Sequence, residues 1–244
     1  MRKPTDSNYS SLIHMRIMET KNPTKVYNVI VLDKSGSMSS ITKQAIDGVN
    51  ETIASIKRSQ EKHPEQDNLL TLAAFCGCEI KKIYEQCPIG EVKPITDRDY
   101  QPCCMTPLYD AIGNTITAVH RMMDDESNAI ASVTIITDGY ENASKEYSHK
   151  AIVSLIEAYK SEGWAFAYIG AEHDVEAVAF NLRIDNSMRF DKTKEGTAMM
   201  WNNFMKSRNS FVEEMSCMMC SDEMDADEKR NVLRKRSKNF FSGK

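Results

Sequence analysis

No stretch of the 244-residue chain approaches the uninterrupted apolar length, about 20 residues, that a membrane-spanning helix needs. The segment from Met1 to Lys25 has scattered charges and no continuous apolar run, so it does not read as a signal peptide. A basic excess is missing as well. The net charge of -4 argues against a dedicated nucleic-acid binder and offers no attraction to an anionic membrane. The seven cysteines are odd in number and lack the spacing of a disulfide scaffold, so reduced thiols in the cytoplasm are expected. Internal repeats, a Gly-x-x-x-x-Gly-Lys phosphate loop, a His-Glu-x-x-His pair and a Ser-His-Asp order are all absent, which removes the commonest nucleotide-binding and hydrolase signatures.

What is present is the composition of an ordinary soluble domain, with 41% hydrophobic and 27% charged residues. The length suits one sizeable α/β domain or two small ones. Apolar runs alternate with helical patterns, as in a parallel α/β sheet. Val26 to Leu32 is a nearly continuous β-branched run ending at Asp33, the pattern of a central strand buried on both faces. After a Ser/Gly loop, Ile46, Val49, Ile53 and Ile56 mark one face of a helix from about Ser40 to Gln60. Leu69 to Phe75 and Ile80 to Cys87 read as strands. Only Cys76-Gly77-Cys78-Glu79 separates them, too little for a parallel crossover, so the second is expected as an antiparallel edge.

Pro94 to Met105 is irregular. Thr106 is an expected N-cap and Pro107 opens a helix, with Leu108, Ala111, Ile112 and Val119 inside. Ala131 to Thr137 is a strand ending at Asp138-Gly139. A helix over 147–162, a strand from Trp164 to Ile169, a short helix near Val175 to Asn181 and an edge strand from Ser187 to Phe190 follow. Met200, Phe204, Phe211, Met215 and Met218 recur at helical spacing, a stripe expected to pack on the domain rather than to serve as an adaptable partner surface. Three regions result: an extension over 1–24, a domain over 25–215, and a charged, flexible tail over 216–244, in which the acidic run Asp222 to Glu228 offsets the basic run Lys229 to Lys238.

Three segments carry the chemistry: Asp33-Lys34-Ser35-Gly36-Ser37, Thr106-Pro107 and Thr137-Asp138-Gly139. Loops leaving the carboxyl ends of neighbouring parallel strands converge on one crevice. The three together offer hard oxygen ligands suited to Mg²⁺, Mn²⁺ or Ca²⁺. With neutral hydroxyls in contact and carboxylates behind waters, a cation would stay under-neutralised and gain by taking an external carboxylate. Each residue also has a plainer role. Ser35, Ser37, Ser39 and Ser40 fit turns and caps, and Asp33 and Asp138 fit strand-end caps. The joint pattern outweighs those separate readings.

Asp-x-Ser-x-Ser after an apolar strand, then Thr, then Asp, resembles the metal-ion-dependent adhesion site of the von Willebrand factor type A family. The likeness covers about Lys25 to Phe190 and extends along the following helix to about Met215. The wordings LDKSGSM, TPLYDAIG and TDGYENAS resemble its stand-alone bacterial intracellular branch. The resemblance implies a doubly wound, mostly parallel sheet with one antiparallel edge strand, helices on both faces and a C-terminal helix. It implies that Ser35, Ser37 and Thr106 ligate the cation directly, that Asp33 and Asp138 act through waters, and that a partner's Glu or Asp fills the open position. Mg²⁺ is the expected ion, with Mn²⁺ or Ca²⁺ as substitutes. A cytoplasmic complex is the implied setting, since such relatives work beside ATPases, chelatase-like assemblies or stress-response operons. One departure stands out. The family often has a glycine-containing mobile loop before the threonine, whereas this chain has Cys103-Cys104-Met105, which implies a stiffer loop or a Thr106 shifted relative to the cation.

Two competing readings share the site. A Mg²⁺-dependent phosphotransferase would use Asp33 as nucleophile, but its usual second carboxylate is replaced by Ser35, a poor general acid or base. A structural subunit with a vestigial metal site is the other. Cys103 and Cys104, near the site, and Cys217-x-x-Cys220, half a zinc knuckle, lack a convincing second ligand pair and are expected to be idle thiols.

Overall fold

The computed structural model describes residues 23–123, 128–171, 174–221 and 223–241. The expected extension over 1–24 therefore lies almost wholly outside the described residues, as does Asp222. β1 (Thr24–Asp33), β2 (Gln66–Cys76), β3 (Glu79–Pro88), β4 (Ala129–Thr137), β5 (Ala165–Ala171) and β6 (Asn186–Phe190) form one sheet in the order β3-β2-β1-β4-β5-β6. Every pairing is parallel except β2 with β3. The antiparallel edge follows from chain length, since the two-residue turn after Cys76 can close only a hairpin.

The helices are α1 (Thr42–Lys62), α2 (Leu108–Met123), α3 (His149–Ser161), α4 (Val175–Asn181), α5 (Lys194–Met219) and α6 (Ala226–Ser237). None of these is long and apolar enough to cross a membrane. Alternation along β1 builds both halves of the core. Val26, Ile30 and Leu32 face the layer of α1, α5 and α6, while Tyr27, Val29 and Val31 face that of α2, α3 and α4. The strand is thus apolar on both faces, which is why its sequence shows a run and not an alternation. The stripe on α5 is core: Met200, Phe204, Phe211 and Met215 are buried, along with Trp201.

The chain after Met215 corrects the sequence reading. Where a flexible tail was expected, α5 continues to Met219 and α6 follows, started by a capping box between Asp225 and Glu228. Leu233 and Phe240 are buried. Asn186 of β6 donates to Ser237 O at 2.7 Å and accepts from Phe240 N at 2.8 Å. Arg236 reaches Glu214 at 2.6 Å and lies over the Phe211 ring. So few apolar residues sit among so many charges that periodicity gave no signal. Burial of a few anchors, with polar ties to β6 and α5, suffices.

Asn28 interrupts the apolar face of β1, and a buried arginine from α5 answers it. Arg208 Nε donates to Asn28 Oδ1 at 2.8 Å and Nη2 to Asn68 Oδ1 at 2.7 Å. Its remaining ties include Asn209 Oδ1 at 2.9 Å. Burial pulls the guanidinium pKa below the usual arginine range, and the amide oxygens keep it hydrogen-bonded. Truncation leaves both asparagines short of a partner in a dry layer. Arg208→Ala is expected to lower unfolding free energy by about 3 kcal/mol, read from the midpoint of urea unfolding at unchanged slope. A loss below about 1 kcal/mol would mean that the existing Asn28 Nδ2 to Asn68 Oδ1 bond at 3.2 Å, with water, satisfies both side chains.

Candidate metal site

The site sits at the carboxyl ends of β1 and β4, where the strand order reverses. Leu32 pairs with Ile136 in register, so Asp33 and Thr137 emerge side by side. Asp33 is fully buried. Its Oδ2 accepts from Thr137 Oγ1 at 2.6 Å and its Oδ1 from Ser35 N at 2.6 Å. The second bond is a local Asx turn, so the plainer reading of Asp33 as a strand-end cap holds for one of its oxygens. Burial pushes the Asp33 carboxyl up to about 6, against the hydrogen bonds from Thr137 and Ser35, and the nearby Asp138 charge adds to the rise.

Ser35 precedes a 3-10 turn, Gly36–Ile41, without capping it through its side chain. Instead Ser35 Oγ lies 3.0 Å from Ser37 Oγ, and Ser37 Oγ donates to Asp138 Oδ1 at 2.6 Å. Thr106 joins from the other side. A Cβ placed on Gly139 would lie 3.7 Å from both Ser37 Oγ and Thr106 Oγ1, so the three loops meet there and the absence of a side chain at 139 keeps the meeting point open. All five residues singled out from the sequence (Asp33, Ser35, Ser37, Thr106 and Asp138) are therefore brought together. Ser39 and Ser40 are exposed on the 3-10 turn.

Several residues that hold this arrangement were not picked out from the sequence. Tyr100, buried in the irregular loop, donates to Asp33 O at 2.6 Å. Asn142 Oδ1 accepts from Thr106 N at 2.8 Å, and Asn142 N returns to Thr106 O at 3.1 Å. Asp110, one turn into α2, accepts from the backbone N–H groups of Lys145, Glu146 and Tyr147 at 2.7 to 2.9 Å. Glu141 accepts from Tyr109 N at 2.9 Å. The polar string after Asp138 is thus a brace between that loop and the start of α2. A repeated polar pattern with acidic residues near a helix start was the available signal.

Lys192, just after β6, was also missed. Its ammonium lies 2.7 Å from Asp138 Oδ2, within a nearly closed environment. Nothing in its local sequence announces this, because the contact depends on β6 lying two strands away from β4.

No protein-family model matches the sequence, and no curated protein matches it. Solved structures do match in three dimensions. The vWF domain of the type V pili tip protein Mfa5 from Porphyromonas gingivalis superposes with a TM-score of 0.56 at 11% identity, covering 77% of this chain and 95% of that one. The fold is that of a von Willebrand factor type A domain. The pilus adhesin SpaC from Lactobacillus rhamnosus GG gives 0.53 at 13% identity over 78% of this chain and 31% of its own. Proximal thread matrix protein 1 from the mussel byssus, solved with a zinc-occupied MIDAS motif, gives 0.50 at 12% identity over 86% of this chain. This chain spans about half (53%) of that mussel protein's length. At such identities the likeness carries the type A fold and nothing finer.

The donor set itself fits a hard divalent cation: three hydroxyls and two carboxylates, with no nitrogen or sulfur among them. Asp33, raised chiefly by burial and only secondarily by Asp138, and Asp138 itself both gain from a positive neighbour. In this geometry Lys192 supplies one such charge. Its removal should therefore favour an added ion. Lys192→Gln is expected to tighten Mn²⁺ binding roughly fivefold, about 1 kcal/mol, in calorimetric titrations at fixed ionic strength. Weaker binding in that variant would show instead that Lys192 supports the ion-bound arrangement.

Proposed function

We propose that the chain is a divalent-metal-dependent binding module that captures an acidic side chain of a partner protein. The observation that carries this reading is the convergence of Ser35, Ser37 and Thr106 with Asp33 and Asp138 at the switch point between β1 and β4. The three hydroxyls would hold the ion, Mg²⁺ being expected and Mn²⁺ or Ca²⁺ able to replace it. Asp33 and Asp138 would act from behind, through ordered waters. When bound, the ion supplies a Lewis-acidic position whose charge the neutral hydroxyls leave largely uncompensated.

The chain's own residues prepare that position. Thr137 and Ser35 N fix the Asp33 carboxylate, and Ser37 fixes one oxygen of Asp138. Met105 and Tyr140 follow the same loops and are 56% and 58% exposed, so a partner presenting a carboxylate beside apolar side chains would cover both. Such exposed apolar groups next to a polar anchor suit a protein ligand better than a free metabolite. We place the module in the cytoplasm, consistent with seven free cysteines, on the stand-alone bacterial branch that its motif wording resembles. A role within an ATPase-associated complex belongs to the same proposal. Net charge of -4 favours neither nucleic acid nor membrane as the ligand.

We assign the site to binding and not to catalysis. A phosphoryl-accepting Asp33 would need a proton-transferring carboxylate two residues on, and Ser35 there is engaged with Ser37.

Metal-stripped full-length chain should give a saturable heat with Mg²⁺, Mn²⁺ or Ca²⁺ at about one ion per chain. Asp33→Ala should abolish it, and Ser37→Ala, at an exposed position, should weaken it at least about tenfold, with circular dichroism showing both variants folded. Titrations repeated with excess glutamate supply the missing carboxylate. Absence of binding by all three ions under both conditions would sink the metal-bridged reading.

A further inference from the structure

A second concentration of metal-binding side chains lies beside the hydroxyl site and has the opposite chemistry. β2 ends at Cys76, and the turn Gly77-Cys78 leads into β3. Cys103 and Cys104 stand three and two residues before Thr106 in the irregular loop. Backbone hydrogen bonds stitch these segments together: Gly77 N to Met105 O at 2.7 Å, Cys103 N to Lys34 O at 2.8 Å and Gly36 N to Cys104 O at 3.1 Å. The Sγ atoms of Cys76 and Cys103 lie 3.0 Å apart, and those of Cys78 and Cys104 lie 2.9 Å apart. Three of the four, in Cys76, Cys78 and Cys103, are all within 4.8 Å of one another. Cys103 also faces Cys104 and Cys78. Cys104 lies outside that group of three and joins it through Cys78, so its sulfur would have to move inward to serve as a fourth ligand.

The backbone is shaped to put them there. A Cβ on Gly77 would stand 3.1 Å from Met105 N and 3.4 Å from Cys104 Cβ, so the turn needs glycine to approach the loop this closely. Cys104 has φ 58, the left-handed region where a glycine would be unstrained and a cysteine costs roughly 1 kcal/mol. That strain falls on a residue whose sulfur completes the cluster. The thiols respond unequally: hydrogen bonding to Cys76 and to Cys104 holds the Cys103 and Cys78 thiols above their usual range, whereas Cys76 is lowered. Burial pushes the Cys76 thiol up, but hydrogen bonds from Cys103 and from the backbone N–H groups of Cys78 and Glu79, with the Lys34 ammonium nearby, outweigh it and hold the thiol below its usual range. Cys76 is buried, while Cys78 and Cys104 are exposed and leave an entry path.

We propose that Cys76, Cys78, Cys103 and Cys104 form a four-thiolate site for a soft divalent cation, zinc being the expected ion, that clasps the loop before Thr106 to the β2–β3 turn. Zinc is commonly held tetrahedrally by four cysteines at about 2.3 Å, which sets the sulfurs roughly 3.8 Å apart. The close pairs would open by less than about 1 Å to accept it. Ligation releases the four thiol protons to solvent and leaves two net negative charges at the centre. Lys34, whose charge already faces Cys76 and Cys103, offsets part of that. Two disulfides, Cys76 to Cys103 and Cys78 to Cys104, would draw on the same thiols. They would not require the approach of Cys103 to Cys78 and Cys104, whereas a single shared centre does. The hydroxyl site, made only of oxygen donors, is a separate site for a different class of ion.

The test uses full-length chain expressed with added zinc and purified with a reductant and no chelator. Elemental analysis should find about one zinc per chain, unchanged in Ser37→Ala and reduced to less than about a tenth in the Cys78→Ser/Cys104→Ser double variant. Both substituted cysteines are exposed, and circular dichroism will establish that the variant folds. Cobalt replacing the zinc should give intense thiolate-to-metal bands in the near ultraviolet and the strong visible bands of a tetrahedral centre. Zinc-free protein with all four thiols open to a thiol reagent would overturn the proposal. So would an intact mass, measured on non-reduced protein, that is short by the four hydrogens of two disulfides.

Discussion

The hydrogen bond from Thr137 Oγ1 to Asp33 Oδ2, 2.6 Å long and fully buried, joins the carboxyl ends of two neighbouring parallel strands. Those strands leave the sheet in opposite directions, β1 towards α1 and β4 towards α3 on the other face. A crevice opens where they part. The hydrogen bond sets which side of each strand end faces that crevice. From it, the Asx turn at Ser35 places Ser37 over Asp138, and Gly139 leaves space for Thr106. A buried carboxylate is unfavourable on its own. Asp33 is tolerable because its oxygens receive donors from Thr137 and Ser35, which oppose the effects of burial and of the nearby Asp138 charge.

Much of this was legible in the sequence for a simple reason. The strands of a two-sided sheet read as apolar runs and Asp33 and Asp138 as the polar residues at their ends, while Thr106 was marked by its place before a helix and by the resemblance to the type A motif. The antiparallel edge was legible from the length of one turn. The missed features share a different origin. Lys192 reaches Asp138 across two strands, Tyr100 anchors a loop with no period, and α6 is held by Leu233, Phe240 and polar ties to Asn186 amid charge. Each depends on what tertiary structure brings close, and none leaves a local pattern. The nearness of the cysteines was hidden for a related reason: Cys-x-Cys and Cys-Cys are not the ligand spacings that mark a zinc site, and only the hairpin turn brings the two pairs side by side.

The loop from Pro94 to Met105 links the two candidate sites. Its Tyr100 is tied to the end of β1 and its Cys104 to Gly36, so the loop is fastened at two points ahead of Thr106. Sequence comparison with the type A family suggested that bulky residues at 103 and 104 would stiffen this loop. In the structure Cys104 is left-handed and a glycine turn packs directly against it. The hydroxyls sit after β1 and just before α2, and the thiols sit at the β2–β3 turn and in this loop, so the two groups are only a few residues apart along the chain.

The ammonium of Lys192 beside Asp138 acts as a tethered monovalent cation. Short connections of this kind give an attached group an effective concentration of at least the order of millimolar, and its placement here, 2.7 Å from the carboxylate, is more favourable than free diffusion provides. Sodium or potassium arriving at the crevice must displace an equal charge that never leaves. An ion with twice the charge gains more from the two carboxylates than the tether does. Lys192 thus stands in the crevice as a fixed positive charge with which any entering cation must compete for Asp138.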